Sequence, residues 1–239
     1  MNFSDDENSN ANTQRSALKN KRLGLLGGTF NPIHNGHLAI ARQTREALGL
    51  DRILFIPTGD PPHKFHENLA PAKDRYEMVR LAITSDPLFS ISDVELRRAG
   101  KSYSIDTIRV VRQEYGGDAT LFFLIGLDAF LDLPSWREPE TLLGLCSFVV
   151  ISRPGLSFQS LSTMTLLPPL PIGSLADMDA GRQSIWQMEI GKQRLICLRL
   201  PPSEVSASDI RKRIGQNMPV ANLLPPLVES YILHHHLYE

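Results

Sequence analysis

The chain has 239 residues, 42% of them hydrophobic, and a formal net charge of −1 with a pI near 6.7. That length and apolar content suffice for one large buried core. The near-neutral balance excludes a protein that grips nucleic acid through bulk positive charge, and the lack of any run of 18 apolar residues excludes a transmembrane helix.

Residues 1–20 are polar, with almost nothing to bury, and read as a disordered tail with no apolar leader. From Lys21 onward short apolar runs alternate with helix-like segments, and residues 21–239 read as a single domain. Strands are expected at 22–26, 52–56, 88–92, 119–125, 146–151 and 194–198. Helical spacing marks 36–48, 72–84, with Tyr76, Met78, Val79, Leu81 and Ile83 as its apolar residues, and 104–115. Two further helices are expected at 206–214 and 226–235. Residues 154–193 contain LLPPLPIG, which no helix interior tolerates, and read as an irregular excursion holding one short helix. Cys146 and Cys197 sit in apolar runs outside any CxxC pair. They read as buried free thiols of a reducing cytoplasm, not as zinc ligands.

Strand–helix alternation implies βαβ units, a mainly parallel sheet flanked by helices, and right-handed crossovers. Ligands of such sheets lie beyond the carboxyl ends of the strands, near a switch in strand order. Three chemically loaded loops begin where an expected strand ends. The first, GGTFNPIHNGHL, runs from Gly27 to Leu38. Its glycines let backbone approach a phosphate, and the following helix start favours an anion. It has neither a P-loop GxxxxGK[ST] nor a GxGxxG fingerprint. His34 and His37 offer two ring donors, with no acidic or thiol cluster nearby to complete a metal site. A plain strand–turn–helix connection is the alternative.

The string GGTFNPIHNGH resembles the signature of the nucleotidyltransferase superfamily of α/β adenylyl- and cytidylyltransferases, whose (H/T)xGH is matched by His34, Asn35, Gly36 and His37. VSASDIRKRI, near the other end, is similar to that superfamily's second motif, ISSTxIR. Ser206 and Arg211 stand in the required places, and Ser208 keeps a hydroxyl where Ala207 has lost one. Alone, it reads as an N-capped helix with a solvated arginine. The resemblance implies a Rossmann-like nucleotidyltransferase fold. It also implies that His34, His37 and Arg211 act on a triphosphate, with Ser206 and Ser208 beside it and Gly27, Gly28, Thr29, Phe30 and Gly36 lining the nucleotide.

Further stretches narrow the family. IPTGDPPHK, at 56–64, presents His63 and Lys64 on a proline-stiffened loop. SYSIDT, at 102–107, places hydroxyls and amides at a helix start, a fair carboxylate receptor. IGLDAFLDLPSW, at 125–136, carries Gly126, Asp128 and Trp136, and FVVISRPG puts Arg153 just past a strand. Each could equally be a surface turn, a cap or a core aromatic. Together they resemble the bacterial nicotinate-nucleotide adenylyltransferases from about Lys21 to Tyr238, with Asn31 where that family often has Asp.

That resemblance implies ATP and nicotinate mononucleotide as substrates, deamido-NAD and pyrophosphate as products, and Mg²⁺ carried in with the ATP. Gly126 and Asp128 would meet the ribose or adenine, and Lys64 and Arg153 the mononucleotide side. Tyr103, Ser104 and Trp136 would hold the nicotinate ring. Sister enzymes for other acceptors, such as nicotinamide mononucleotide, and a non-catalytic nucleotide-sensing module remain alternatives. Self-association is left open. His234 to His236 read as a surface helix end.

Overall fold

The computed structural model describes residues 21–59, 69–116 and 118–239. The expected tail at 1–20 and the loop residues His63 and Lys64 lie outside the described residues.

A seven-stranded sheet forms the middle layer. Its strands are β1 (Arg22–Gly28), β2 (Arg52–Pro57), β3 (Phe89–Ile91), β4 (Thr120–Gly126), β5 (Ser147–Ile151), β6 (Ile185–Ile190) and β7 (Gln193–Leu198). The order across the sheet is β3-β2-β1-β4-β5-β7-β6, and every pairing is parallel except β6 with β7. The central strands are apolar without alternation because both of their faces are covered. Leu121, Phe123 and Ile125 of β4 point into one core, and Phe122 and Leu124 into the other.

The first core is closed by α3 (Ser104–Tyr115), α4 (Leu127–Leu131), α5 (Pro139–Leu145) and α6 (Ile172–Asp179). The second is closed by α1 (Asn35–Leu48), α2 (Ala72–Ile83), α7 (Ala207–Gly215) and α8 (Pro226–His234). This is the helix-flanked, mainly parallel sheet expected from the alternation, and it has the Rossmann-like layering that the resemblance implies. Cys146 and Cys197 are buried free thiols, each pushed up to about 12 by burial. Among the described residues no helix is long and apolar enough to cross a membrane.

The stretch 154–193 corrects the sequence expectation. It holds a 3₁₀ turn (Phe158–Thr163) and the expected short helix, α6, but also the strand β6. In β6, Trp186, Met188 and Ile190 are half-buried while Gln187 and Glu189 are exposed. Gly191, at φ 60°, then turns the chain into β7. That period-two pattern and Gly turn are a hairpin signal, masked by the prolines upstream.

Strand order reverses between β1 and β4. From β1 the chain builds outward to β2 and β3, and from β4 it builds the other way. The crevice at their carboxyl ends is where such sheets bind ligands. Leu26 and Leu124 are the last paired residues, and Gly28 and Gly126 come two residues beyond them.

Candidate active site

The first motif turns sharply as it leaves β1. Phe30 adopts a left-handed φ of 46°, and a cis peptide joins Asn31 to Pro32. Phe30 is buried edge-on to the His37 ring, 5.1 Å between centroids. His34 is the N-cap of α1, whose first turn has no acidic residue to compete for an anion. The His34 and His37 rings stack, with centroids 3.7 Å apart. The His34 backbone N–H donates to His37 Nδ1 at 3.2 Å. In the neutral ring the His37 proton therefore sits on Nε2, which is the donor left for a ligand. Among the described residues His34 Nδ1 is buried without a hydrogen-bond partner.

Both rings are held neutral. Burial and the nearby Arg153 guanidinium bring His34 down to about 4. Burial, His34 and Arg153 hold His37 well below the ordinary histidine value. A stability consequence follows with a definite sign. An unfolded histidine takes up its proton near pH 6.5, whereas folded His34 does so at about 4. Between those values the unfolded chain binds the extra proton. Stability is therefore complete above pH 6.5 and falls as the pH drops through that window. At about 1.36 kcal/mol per pH unit, the loss from His34 by pH 4 is on the order of 3 kcal/mol. Urea denaturation at pH 7, 6, 5 and 4 measures this, and stability that stays flat down to pH 5 contradicts a buried neutral pair.

The second motif comes alongside the first. Ser206 is the N-cap of α7, and its Oγ accepts the Asp209 N–H at 3.2 Å and lies 3.2 Å from Ser208 Oγ. Arg211 Nη1 donates to the Asn31 carbonyl at 2.8 Å, across 180 residues of sequence. Gly36 has no room for a Cβ, which would stand 2.7 Å from Ser203 Oγ on the loop entering α7 and 3.0 Å from His34 Nδ1. His34, His37, Gly36, Ser206, Ser208 and Arg211 thus share one edge of the sheet.

On the β4 side, Asp128 lies in the first turn of α4 and accepts Arg153 Nε at 3.1 Å. The pair is about half exposed and worth little by itself. Its place matters more, because Arg153 sits beside the histidines and over the tip of β4. A Cβ on Gly126 would stand 2.5 Å from Arg153 Nε and would also run into the Asp128 carboxylate. Gly126→Ala should leave stability nearly unchanged, since both obstacles are ends of flexible side chains. It should lower kcat/KM by roughly 10- to 100-fold, the scale of a misplaced contact. Steady-state kinetics beside a melting curve checks this, and wild-type kcat/KM would mean that the Asp128–Arg153 pair is not part of the site.

Trp136 is half-buried and edge-on to Phe123, at 6.5 Å, and Phe123 in turn lies under Gly27, 3.8 Å from where a Cβ would be. Tyr103 is the N-cap residue of α3, with Ser104 first in the helix. Arg137 lies over the Tyr103 ring at 5.0 Å.

Arg75, Glu95 and Tyr238 escaped the sequence reading. Arg75 is buried, its guanidinium donating to the carbonyls of Thr29 (2.8 Å), Gly59 (2.9 Å) and Ala70 (3.0 Å). It fastens the first motif to β2 and to the approach to α2. Its signal was present: Arg75 shares helical spacing with the buried Met78, Val79 and Ala82. The buried Glu95 accepts from Thr107 Oγ1 at 2.8 Å and from Gly59 N–H at 3.4 Å, linking that loop to α3. Burial raises its pKa above the ordinary carboxylate value, against the pull of these bonds. Tyr238, in LYE, showed no periodicity to mark it.

The chain matches the cytidylyltransferase-like family over residues 25–213. It is 41% identical over 217 residues to a probable nicotinate-nucleotide adenylyltransferase of Geotalea daltonii, covering 91% of this chain and 98% of that one. A protein of the same name from Moorella thermoacetica is 37% identical, covering 91% of both chains. Among solved structures, Plasmodium falciparum nicotinic acid mononucleotide adenylyltransferase complexed with NaAD aligns with a TM-score of 0.67 at 18% identity. That alignment covers 91% of this chain and 97% of the other, and shares the fold. With both motifs on one edge at the switch in strand order, this chain belongs to the nicotinate-nucleotide adenylyltransferases of the cytidylyltransferase-like family.

Proposed function

We infer that the protein transfers AMP from ATP to nicotinate mononucleotide, giving deamido-NAD and pyrophosphate, a step of NAD biosynthesis. The observation that carries this is the kinship at up to 41% identity over 91% of the chain. The meeting of both motifs at the β1/β4 crevice supports it. We place the reaction in the cytoplasm and in a domain spanning residues 21–239.

The acceptor phosphate is itself the nucleophile and is already ionised at neutral pH, so no general base is required. One of its oxygens bonds to the α-phosphorus. The bond from that phosphorus to the bridging oxygen breaks, and pyrophosphate leaves with the electron pair. Catalysis is then positioning and charge stabilisation. In this reading His34 and His37 donate to oxygens around the α-phosphate, and Arg211, Ser206 and Ser208 hold the tail that becomes pyrophosphate. Gly27, Gly28, Thr29, Phe30 and Gly36 line the nucleotide, and Gly126 with Asp128 meets its ribose or adenine. Arg153 and Lys64 would serve the mononucleotide side. Trp136, Tyr103 and Ser104 take the nicotinate ring and its carboxylate. Among the described residues no three His, Cys, Asp or Glu side chains gather to hold a metal. Mg²⁺ would come in with the ATP, carried mostly by phosphate oxygens and water.

Pyrophosphate release measured across nicotinate mononucleotide, nicotinamide mononucleotide, phosphopantetheine and a CTP-dependent acceptor tests the assignment. The nicotinate substrate should be preferred at least tenfold in kcat/KM, about 1.4 kcal/mol of discrimination. Preference for another acceptor would replace the substrate and keep the fold. ATP binding without any product would make the protein a sensor.

A further inference from the structure

Tyr238 reaches the site from the far end of α8. His236 and Tyr238 both take left-handed backbone, with φ 51° and 71°. That conformation costs a non-glycine residue on the order of 1 kcal/mol or more. The two residues fold the segment after α8 back over α7, where the Tyr238 carbonyl lies 3.4 Å from the Cβ position of Gly215. The phenol then turns inward.

The Tyr238 O–H donates to Asn31 Oδ1 at 2.8 Å. The same oxygen accepts the Ala70 N–H at 3.0 Å, and Asn31 is buried. The Asn31 backbone carbonyl is the acceptor for Arg211 Nη1, at 2.8 Å. One residue of the first motif is thus gripped by its side chain from two directions while its carbonyl seats the arginine of the second motif. Among the described residues Arg211 forms no ion pair. Among those residues Arg211 Nη1 has the one hydrogen bond given above, and other N–H donors of the guanidinium would be available to a ligand. The phenol suits this place because it is neutral: burial lifts its pKa above the ordinary tyrosine value against the pull of Arg211 and Arg75. A carboxylate there would draw Arg211 away from phosphate oxygens.

We propose that Tyr238 is a positioning residue for ATP: its hydroxyl holds Asn31, and Asn31 sets the carbonyl against which Arg211 is aimed at the triphosphate. This rests on the adenylyltransferase reading above, in which Arg211 meets the triphosphate.

Tyr238→Phe removes the O–H and keeps the ring. KM for ATP, and Kd for a non-hydrolysable ATP analogue by calorimetry, should each rise about five- to tenfold, the scale of one buried hydrogen bond. KM for the mononucleotide should move less than about twofold and Tm by only a few degrees. In combination with Arg211→Lys the ATP penalty should be no larger than for Arg211→Lys alone, since both act through one contact. Unchanged ATP constants, additive penalties, or a loss shared by both substrates in step with lowered stability would each overturn the proposal. Should the wild-type protein bind the analogue yet form no dinucleotide, the adenylyltransferase reading falls. The Kd comparison still decides the role of Tyr238.

Discussion

Replacing His37 by alanine should lower turnover on the order of 10²-fold or more, the cost of losing one donor that acts on charge developing in the transition state. The ring is set for that role by two neighbours. His34 N–H occupies Nδ1, which leaves the proton on Nε2, and the stacked His34 ring fixes its plane. Alanine also removes an acceptor at the helix start, which costs on the order of 1 kcal/mol, so a slower enzyme could simply be a less stable one. His37→Gln separates the two effects. A glutamine three residues after an N-cap can reach back to the cap N–H, so it supplies the structural bond without the imidazole. It should melt near the wild-type temperature and still turn over at least tenfold more slowly. Steady-state rates and melting curves of both variants decide the matter. Wild-type turnover in His37→Ala removes this residue from the reaction.

Arg75→Met should cost about 3–5 kcal/mol of stability, lowering Tm by roughly 10 °C for a domain of this size. The side chain that replaces it is apolar and of similar length, so little cavity is left. What is lost is donors: the buried carbonyl of Ala70 and the half-buried ones of Thr29 and Gly59 lose a charged partner. Arg75→Lys should recover part of the loss, since one ammonium cannot copy the spread of a guanidinium fork. Denaturant titration of the two variants measures both effects, and a methionine variant as stable as wild type contradicts the three-carbonyl account. The activity of Arg75→Met should fall as well, because Thr29 follows directly on β1 in the loop proposed above to line the nucleotide.

The interior strands were easy to find in the sequence because burial on both faces leaves continuous apolar runs. β1, β2, β4, β5 and β7 lie within about two residues of their expected limits. β6 was missed because it is an edge strand with only one covered face and follows a proline-rich stretch. In the site, residues that sit in short local motifs were visible: the two histidines, Ser206 and Arg211. Residues joined only by tertiary contact were not. Asn31 and Tyr238 stand 207 residues apart in the sequence, and no local pattern connects them. Arg75 stood on an apolar helical face, where the ordinary expectation for arginine is solvent.

The bond from Arg211 to the Asn31 carbonyl spans 180 residues, and this bears on the order of events when the chain folds. Contacts between distant segments pay loop-closure entropy before they return any stability. The strand pairs β1–β2 and β4–β5 can assemble from neighbouring segments, but the two motifs meet only once the whole sheet has brought them together. Refolding chains should therefore regain helical circular dichroism before they regain affinity for ATP, and nucleotide binding becomes a reporter of the finished fold.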